Sequence, residues 1–185
     1  GMVNKIYKYK ESITLGDWRN AATFLADDID ESWESMFVED FEEIFKNLDA
    51  NFKNVNVRKV YLDAYKQENL GGSQRYPEVQ DAIIKEFEKG TLVFCYMGHG
   101  GDEYIASEKV IDIPLVNRMQ NIHSLPAFFT ASCSIGKFDD ATHKSGGEYL
   151  ITNPNGGSIA MFTTVRLVGA GDNAILTKYF WNECI

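Results

Sequence analysis

Apolar residues along this chain follow two alternating rhythms. Short unbroken runs of strand-forming residues, Ala21–Ala26 (AATFLA), Thr91–Met97 (TLVFCYM), Leu125–Ser132 (LPAFFTAS) and Ser158–Thr164 (SIAMFTT), alternate with segments whose apolar positions recur every three or four residues. The clearest of those segments carries Trp33, Met36, Phe37, Phe41, Ile44, Phe45, Leu48 and Phe52, which predicts an amphipathic helix with its aromatic stripe packed into a core. Asn56–Leu62 predicts a further strand. After a polar, Gly-rich loop, Pro77 opens a helix that runs to Lys89, and Gly90 ends it. Shorter helices are expected at Ile113–Met119 and Gly147–Ile151, a last one at Asn173–Trp181, and an opening one at Lys5–Ile13. A strand covered on both faces has no polar side to show. The alternation therefore predicts an α/β fold, a mainly parallel sheet flanked by helices on both faces, as a single domain over residues 1–185.

Composition narrows the function. With 185 residues, 44% of them hydrophobic, the chain can bury a sizeable core. Its 27 acidic and 18 basic side chains give a net charge of -9 with no basic cluster, which argues against nucleic acid as a partner. No apolar stretch is long enough to span a bilayer, so direct membrane insertion is not expected, and the start lacks the apolar core of a signal peptide. Gly1 before Met2 and an end at Trp181–Ile185 without a helix stop are expected of a segment of a longer protein, whose localisation signals would lie elsewhere.

Three cysteines, at spacings of 38 and 51, form neither a disulfide framework nor zinc knuckles. Cys95 lies inside an apolar run and reads as a small core residue, and Cys184 lies near the end. Only Cys133 has the neighbourhood of a site. It follows the run Phe128-Phe129-Thr130-Ala131-Ser132, and 34 residues before it His99 follows Phe94–Gly98 and precedes Gly100-Gly101. In an open parallel sheet ligands bind beyond the carboxyl ends of the strands, so a His and a Cys at two such ends can meet. The same rim is expected to hold Asp27-Asp28-Ile29-Asp30 and Thr163-Thr164-Val165-Arg166.

A thiol with an ordinary pKa of about 8.5 needs a base to be nucleophilic at neutral pH. His99 can supply that base and later protonate a leaving amine, while the backbone N–H groups of Gly100 and Cys133 are placed to receive an oxyanion. The acidic residues after the first strand suit a helix N-terminus and are compatible with calcium, although no cofactor is required. Glu148 is expected to open a helix, and His123 and His143 to be exposed loop residues. No His or Cys pair has the spacing of a zinc site.

Gly98-His99-Gly100-Gly101, Thr130–Cys133 followed by Phe138-Asp139-Asp140, Gly146-Gly147-Glu148 and Asn153–Ala160 (NPNGGSIA) together resemble the gingipain peptidase family. With Gly16–Asn20 (GDWRN), Ala26-Asp27-Asp28 and Gln74–Pro77 (QRYP), the chain is most similar to the PorU-like sortases of type IX secretion, over about residues 3–179. The resemblance implies a caspase-like three-layer sandwich and a cysteine peptidase with Cys133 as nucleophile and His99 as base. It implies an orienting acidic residue at Asp28, with Asp27 a near alternative, and places Arg166 and Thr164 at the rim where such enzymes bind substrate. A surface salt bridge is the plainer role for Arg166. The implied substrate is an exported protein with a C-terminal secretion signal, removed at the cell surface or in the periplasm with hydrolysis or transfer to an amine, alongside other secretion components. Two departures are expected to matter: the upstream subdomain and outer segments that the resemblance implies are not found within these 185 residues, and Ser134-Ile135-Gly136-Lys137 differs from the Glu-Phe-Ser-Arg type of segment of PorU-like proteins. A non-catalytic module that keeps the fold for protein binding or complex assembly is the rival expectation.

Overall fold

Five strands, β1 (Ala21–Ala26), β2 (Asn56–Tyr61), β5 (Val93–Met97), β8 (Ala127–Ala131) and β9 (Ala160–Phe162), form one sheet in the order β2-β1-β5-β8-β9. Every pairing in it is parallel. The structure is a computed structural model that describes residues 1–184. The expectation of an open chain end reaches Ile185, which lies outside the described residues, as does the side chain of Cys184.

Side chains leave the central strands alternately into two cores, which explains their unbroken apolar sequences. Leu25, Phe94, Tyr96 and Phe128 face α3 (Pro77–Lys89), α4 (Ile113–Arg118) and α5 (Gly146–Thr152), where Ile83, Phe87, Leu115, Val116 and Leu150 complete one cluster. Phe24, Val93, Cys95, Met97 and Phe129 face α2 (Ser35–Asn51) and α6 (Ala170–Cys184) through Phe37, Phe41, Ile44, Leu48 and Trp181. Phe24 is held between Phe41, stacked at 4.5 Å, and Trp181, edge-on at 5.0 Å. The three layers are thus helix, sheet and helix.

Two expectations change at the periphery. The opening helix, α1, covers Met2–Lys8 rather than Lys5–Ile13. Its Lys5 is buried and donates to the carbonyls of Ile151 at 2.9 Å and Gly156 at 2.8 Å, placing a cation at the carboxyl end of α5. The Thr14 hydroxyl takes the carbonyls of Tyr9 and Glu11, which turns the following residues into a separate 3-10 turn at Ser12–Thr14. The polar loop after β2 contains a hairpin of β3 (Glu68–Leu70) and β4 (Ser73–Arg75), and a second small hairpin pairs β6 (Tyr104–Ile105) with β7 (Ile111–Asp112). Among the described residues no helix is long and apolar enough to cross a membrane.

Candidate functional site

The sheet register brings His99 and Cys133 to one level. Met97 of β5 pairs with Ala131 of β8, and each reactive residue lies two positions beyond its strand's partner. Gly98 makes the turn out of β5 at φ 152°, where a Cβ would fall 2.4 Å from Cβ of Asp27 and 2.5 Å from the Tyr96 hydroxyl. The His99 backbone is then fixed on both sides. Its N–H donates to Asp27 Oδ2 at 2.7 Å, and its carbonyl accepts from the Tyr96 hydroxyl at 2.7 Å and the Ala106 N–H at 3.0 Å. Gly100 runs beside the second loop, where a Cβ would lie 3.0 Å from Ser132 Oγ and 3.2 Å from the Cys133 carbonyl oxygen. Close backbone approach between the two loops is what that glycine permits.

The imidazole ring is held by Glu34. His99 Nε2 lies 2.6 Å from Glu34 Oε1, and the rings of Trp33 and Phe37 stand nearly perpendicular to it at 5.8 and 5.7 Å. Glu34 Oε2 accepts from the N–H groups of Asp30 at 2.8 Å and Glu31 at 2.6 Å, which closes a capping box around the 3-10 turn Ser32–Glu34 ahead of α2. Burial alone would push the Glu34 carboxyl up, but the Glu31 N–H, the His99 ring and the Asp30 N–H outweigh it and hold it below its ordinary value. An ionised Glu34 accepts, so Nε2 is the ring nitrogen that donates. Nδ1 then carries the lone pair, and among the described residues it has no protein partner.

Asp28 does not fill the orienting place expected of it. Its Oδ2 accepts from the Tyr76 hydroxyl at 3.0 Å and from Gln67 at 3.3 Å, so it faces the α3 side of the sheet. Asp27 touches the His99 backbone and not the ring. Burial pushes the Asp27 carboxyl up to about 7, against the opposing pull of the His99 N–H. Trp33 also leaves the core stripe in which its spacing placed it, because the 3-10 turn swings it half-exposed over the histidine.

Cys133 sits partly exposed at the start of a strained turn. Its carbonyl accepts from the Ile135 N–H at 2.7 Å, and Ser134 adopts φ 55°, a conformation uncommon outside glycine. The turn is fixed from β9's side: Ser134 donates to the Arg166 carbonyl at 3.2 Å and Gly136 to the Thr164 carbonyl at 3.0 Å. The Thr164 hydroxyl donates to the Ser132 carbonyl, so it braces this turn instead of facing a substrate. The Arg166 guanidinium is engaged by both carboxylate oxygens of Asp139, at 2.9 and 2.6 Å, which is the surface ion pair. Among the described residues neither the Gly100 nor the Cys133 N–H donates to a protein acceptor. His99 and Cys133 line one cleft of about 100 Å³ with Trp33, Phe37, Val168 and Asn173. Cys95 is fully buried, and burial pushes its thiol well above the ordinary range.

Comparison with known proteins fits this geometry. The whole chain, residues 1–185, matches the sequence model of peptidase family C25. Among solved structures it is similar to the Arg specific cysteine proteinase gingipain R (RGPB), at 18% identity and a TM-score of 0.71, over 100% of this chain and 41% of that one. It is also similar to the complex of Porphyromonas gingivalis RgpB pro- and mature domains, at 18% identity and a TM-score of 0.71, over 98% of this chain and 41% of that one. A third structure, named only as a protease, has 14% identity and a TM-score of 0.71, over 97% of this chain and 35% of that one. The chain thus spans about two fifths of the length of these neighbours, and it shares their caspase-like fold. No curated protein matches it by sequence.

Proposed function

Because the chain belongs to peptidase family C25 over its whole length, we propose that it acts as a cysteine endopeptidase in which His99 and Cys133 form the reacting pair. The observation that carries this reading is the meeting of the two strand-end loops, with Gly100 against the Cys133 carbonyl and both side chains on one cleft. His99 Nδ1 takes the thiol proton, and the Cys133 thiolate adds to the substrate carbonyl carbon. The resulting oxyanion is received by the N–H groups of Gly100 and Cys133. As the C–N bond breaks, the imidazolium returns its proton to the leaving amine, giving a thioester that water or a second amine resolves. Glu34 stabilises the imidazolium and fixes its tautomer, in the manner of the acidic member of a hydrolase triad.

The finer reading is that of a PorU-like sortase. Its substrate would be an exported protein carrying a C-terminal secretion signal, met at the cell surface or in the periplasm beside other secretion components. The motifs Gly16–Asn20, Ala26-Asp27-Asp28 and Gln74–Pro77 support it. Arg166 and Thr164 have no part in substrate binding in this scheme, since their side chains are committed to Asp139 and Ser132.

The test is the rate of iodoacetamide modification of each cysteine, read by mass spectrometry from pH 5 to 9, in wild type and His99→Ala. The expected result is labelling of Cys133 well below the ordinary thiol pKa, far ahead of Cys95 and lost without His99. Equal, slow labelling in both proteins would favour the non-catalytic scaffold. Peptides that carry a C-terminal electrophile after the sequence of a secretion-signal junction then test the substrate class.

A further inference from the structure

Beside the Cys133 sulfur the cleft has a depth that the reacting pair does not use. Its floor is Met97 and Ala131, which pair at the ends of β5 and β8 and are buried in the core shared with α2 and α6. Trp33 and Phe37 line it from the α2 side, and Val168 and Ala170 from the point where the chain enters α6. The Val168 carbonyl oxygen lies 3.8 Å from Cys133 Sγ, so this wall meets the nucleophile itself. The residue whose carbonyl is attacked carries its side chain one carbon away from the reacting atom, next to the cleft that His99 and Cys133 both line.

Two properties of the cleft limit what fits. Its volume of about 100 Å³ is roughly that of three waters at ~30 Å³ each, which leaves no room for an aromatic ring. Apart from the reacting pair, no ionisable side chain among the described residues lines it. Both oxygens of Glu34 are already engaged, by His99 and by the N–H groups of Asp30 and Glu31, and Asp172 is exposed outside the lining. A lysine or arginine head entering this cleft would lose water and meet no counter-charge. One polar group remains. Asn173 lines the cleft at 7% exposure, with its N–H donating to the Gly169 carbonyl at 3.1 Å and its carbonyl accepting from the Thr177 hydroxyl at 2.7 Å. Its side-chain amide has no hydrogen-bond partner among the described residues, which is costly for a group so far from bulk water.

We propose that this cleft binds the side chain of the residue whose carbonyl Cys133 attacks, and that it selects small, uncharged side chains, threonine first, with the Asn173 amide bonding the threonine hydroxyl. The inference rests on the peptidase reading above and narrows it to cleavage after threonine and residues of similar size. Threonine and valine differ in a hydroxyl for a methyl at nearly equal volume, so the bond to Asn173 separates them by about threefold to tenfold. A cationic head left without a partner loses roughly 100-fold.

The experiment is labelling of the full chain with acetylated tripeptide chloromethyl ketones, two glycines followed by threonine, valine, phenylalanine or lysine, in which the Cys133 thiolate displaces chloride. The second-order rate at Cys133, read by mass spectrometry, is divided by that of iodoacetamide, which has no side chain to place. The threonine probe should be fastest, the valine probe about threefold to tenfold slower, and the phenylalanine and lysine probes roughly 100-fold slower. Asn173→Ala should bring the threonine and valine rates together. Ala170→Asp puts a carboxylate on the wall at a helix N-terminus that favours it, and should raise the lysine-to-threonine ratio at least about tenfold. Val168→Asp serves in its place should that variant not fold. A lysine or phenylalanine probe as fast as threonine in wild type overturns the proposal, as do equal threonine and valine rates, while His99-dependent iodoacetamide labelling would leave the peptidase reading standing. Slow iodoacetamide labelling, unchanged in His99→Ala, overturns both.

Discussion

Replacing Glu34 by glutamine separates the orienting contact from everything else that residue does. Glu34 Oε2 faces two N–H donors, those of Asp30 at 2.8 Å and Glu31 at 2.6 Å, so the glutamine must turn its carbonyl oxygen towards them. Its NH₂ then meets His99 Nε2, where the carboxylate oxygen sat at 2.6 Å. A donor there makes Nε2 the acceptor and puts the ring proton on Nδ1. The ring's lone pair would then face the glutamine, and Nδ1 would have none with which to take the thiol proton. A hydrogen bond to a charged partner contributes about 1.5–3 kcal/mol, and each 1.36 kcal/mol is tenfold in rate. Because the His99 side chain is 46% exposed, water replaces part of the lost contact, and the lower half of that range, about 2 kcal/mol or roughly 30-fold, applies. The assay is the second-order rate of Cys133 alkylation near pH 6.5, with Cys95 as the slow internal reference. A rate within about twofold of wild type, in a protein where His99→Ala is slow, would refute the role given to Glu34. So would a large loss in Asp28→Asn with none in Glu34→Gln.

Two further outcomes follow from the packing around this site and from the buried amine of α1. Gly98→Ala forces a side chain into a φ of 152° and against Asp27 and Tyr96, so a loss of roughly 2–5 kcal/mol in urea unfolding is expected, with Cys133 alkylation slowed as His99 shifts. Burial lowers the Lys5 amine from 10.5 to about 8. Between those values the unfolded chain holds the extra proton, so stability rises with pH across that window and levels off below it. Compared with Lys5→Met, wild type should gain up to about 2 kcal/mol between pH 7.5 and 10 in paired urea titrations, and no relative gain would mean that the amine is solvated.

What the sequence reveals of the fold is whatever is buried on two sides. β1 and α3 have the bounds that their residues predict, because a six-residue apolar run and a Pro-to-Gly helix leave few alternatives. Thr91 and Leu92 precede β5 although they continue its apolar run. The Thr91 hydroxyl bonds the carbonyls of Ala21 and Val93, a contact that resembles strand pairing in composition alone. The β3–β4 hairpin escapes a periodicity reading because its strands are three residues long and mostly exposed. Its turn is nonetheless visible in Gly71-Gly72, which take φ 63° and 82° as a tight hairpin turn requires.

The site divides along the same line. His99 and Cys133 are legible because each ends a buried strand, so counting along two paired strands locates both. Glu34 belongs to no strand end. Its position depends on how the chain folds back through a one-turn 3-10 helix, whereas the resemblance implies an orienting residue directly after β1, at Asp28 or its neighbour Asp27. A local signal does exist: Glu34 stands three residues after Glu31 at the start of an amphipathic run, which is the spacing of a capping box. That pattern accounts for only one of its two oxygens. The other is left free to reach across to the histidine, so a single carboxylate both starts α2 and orients the base. Removing it should therefore cost stability as well as thiol reactivity, whereas removing His99 should cost reactivity with little loss of fold.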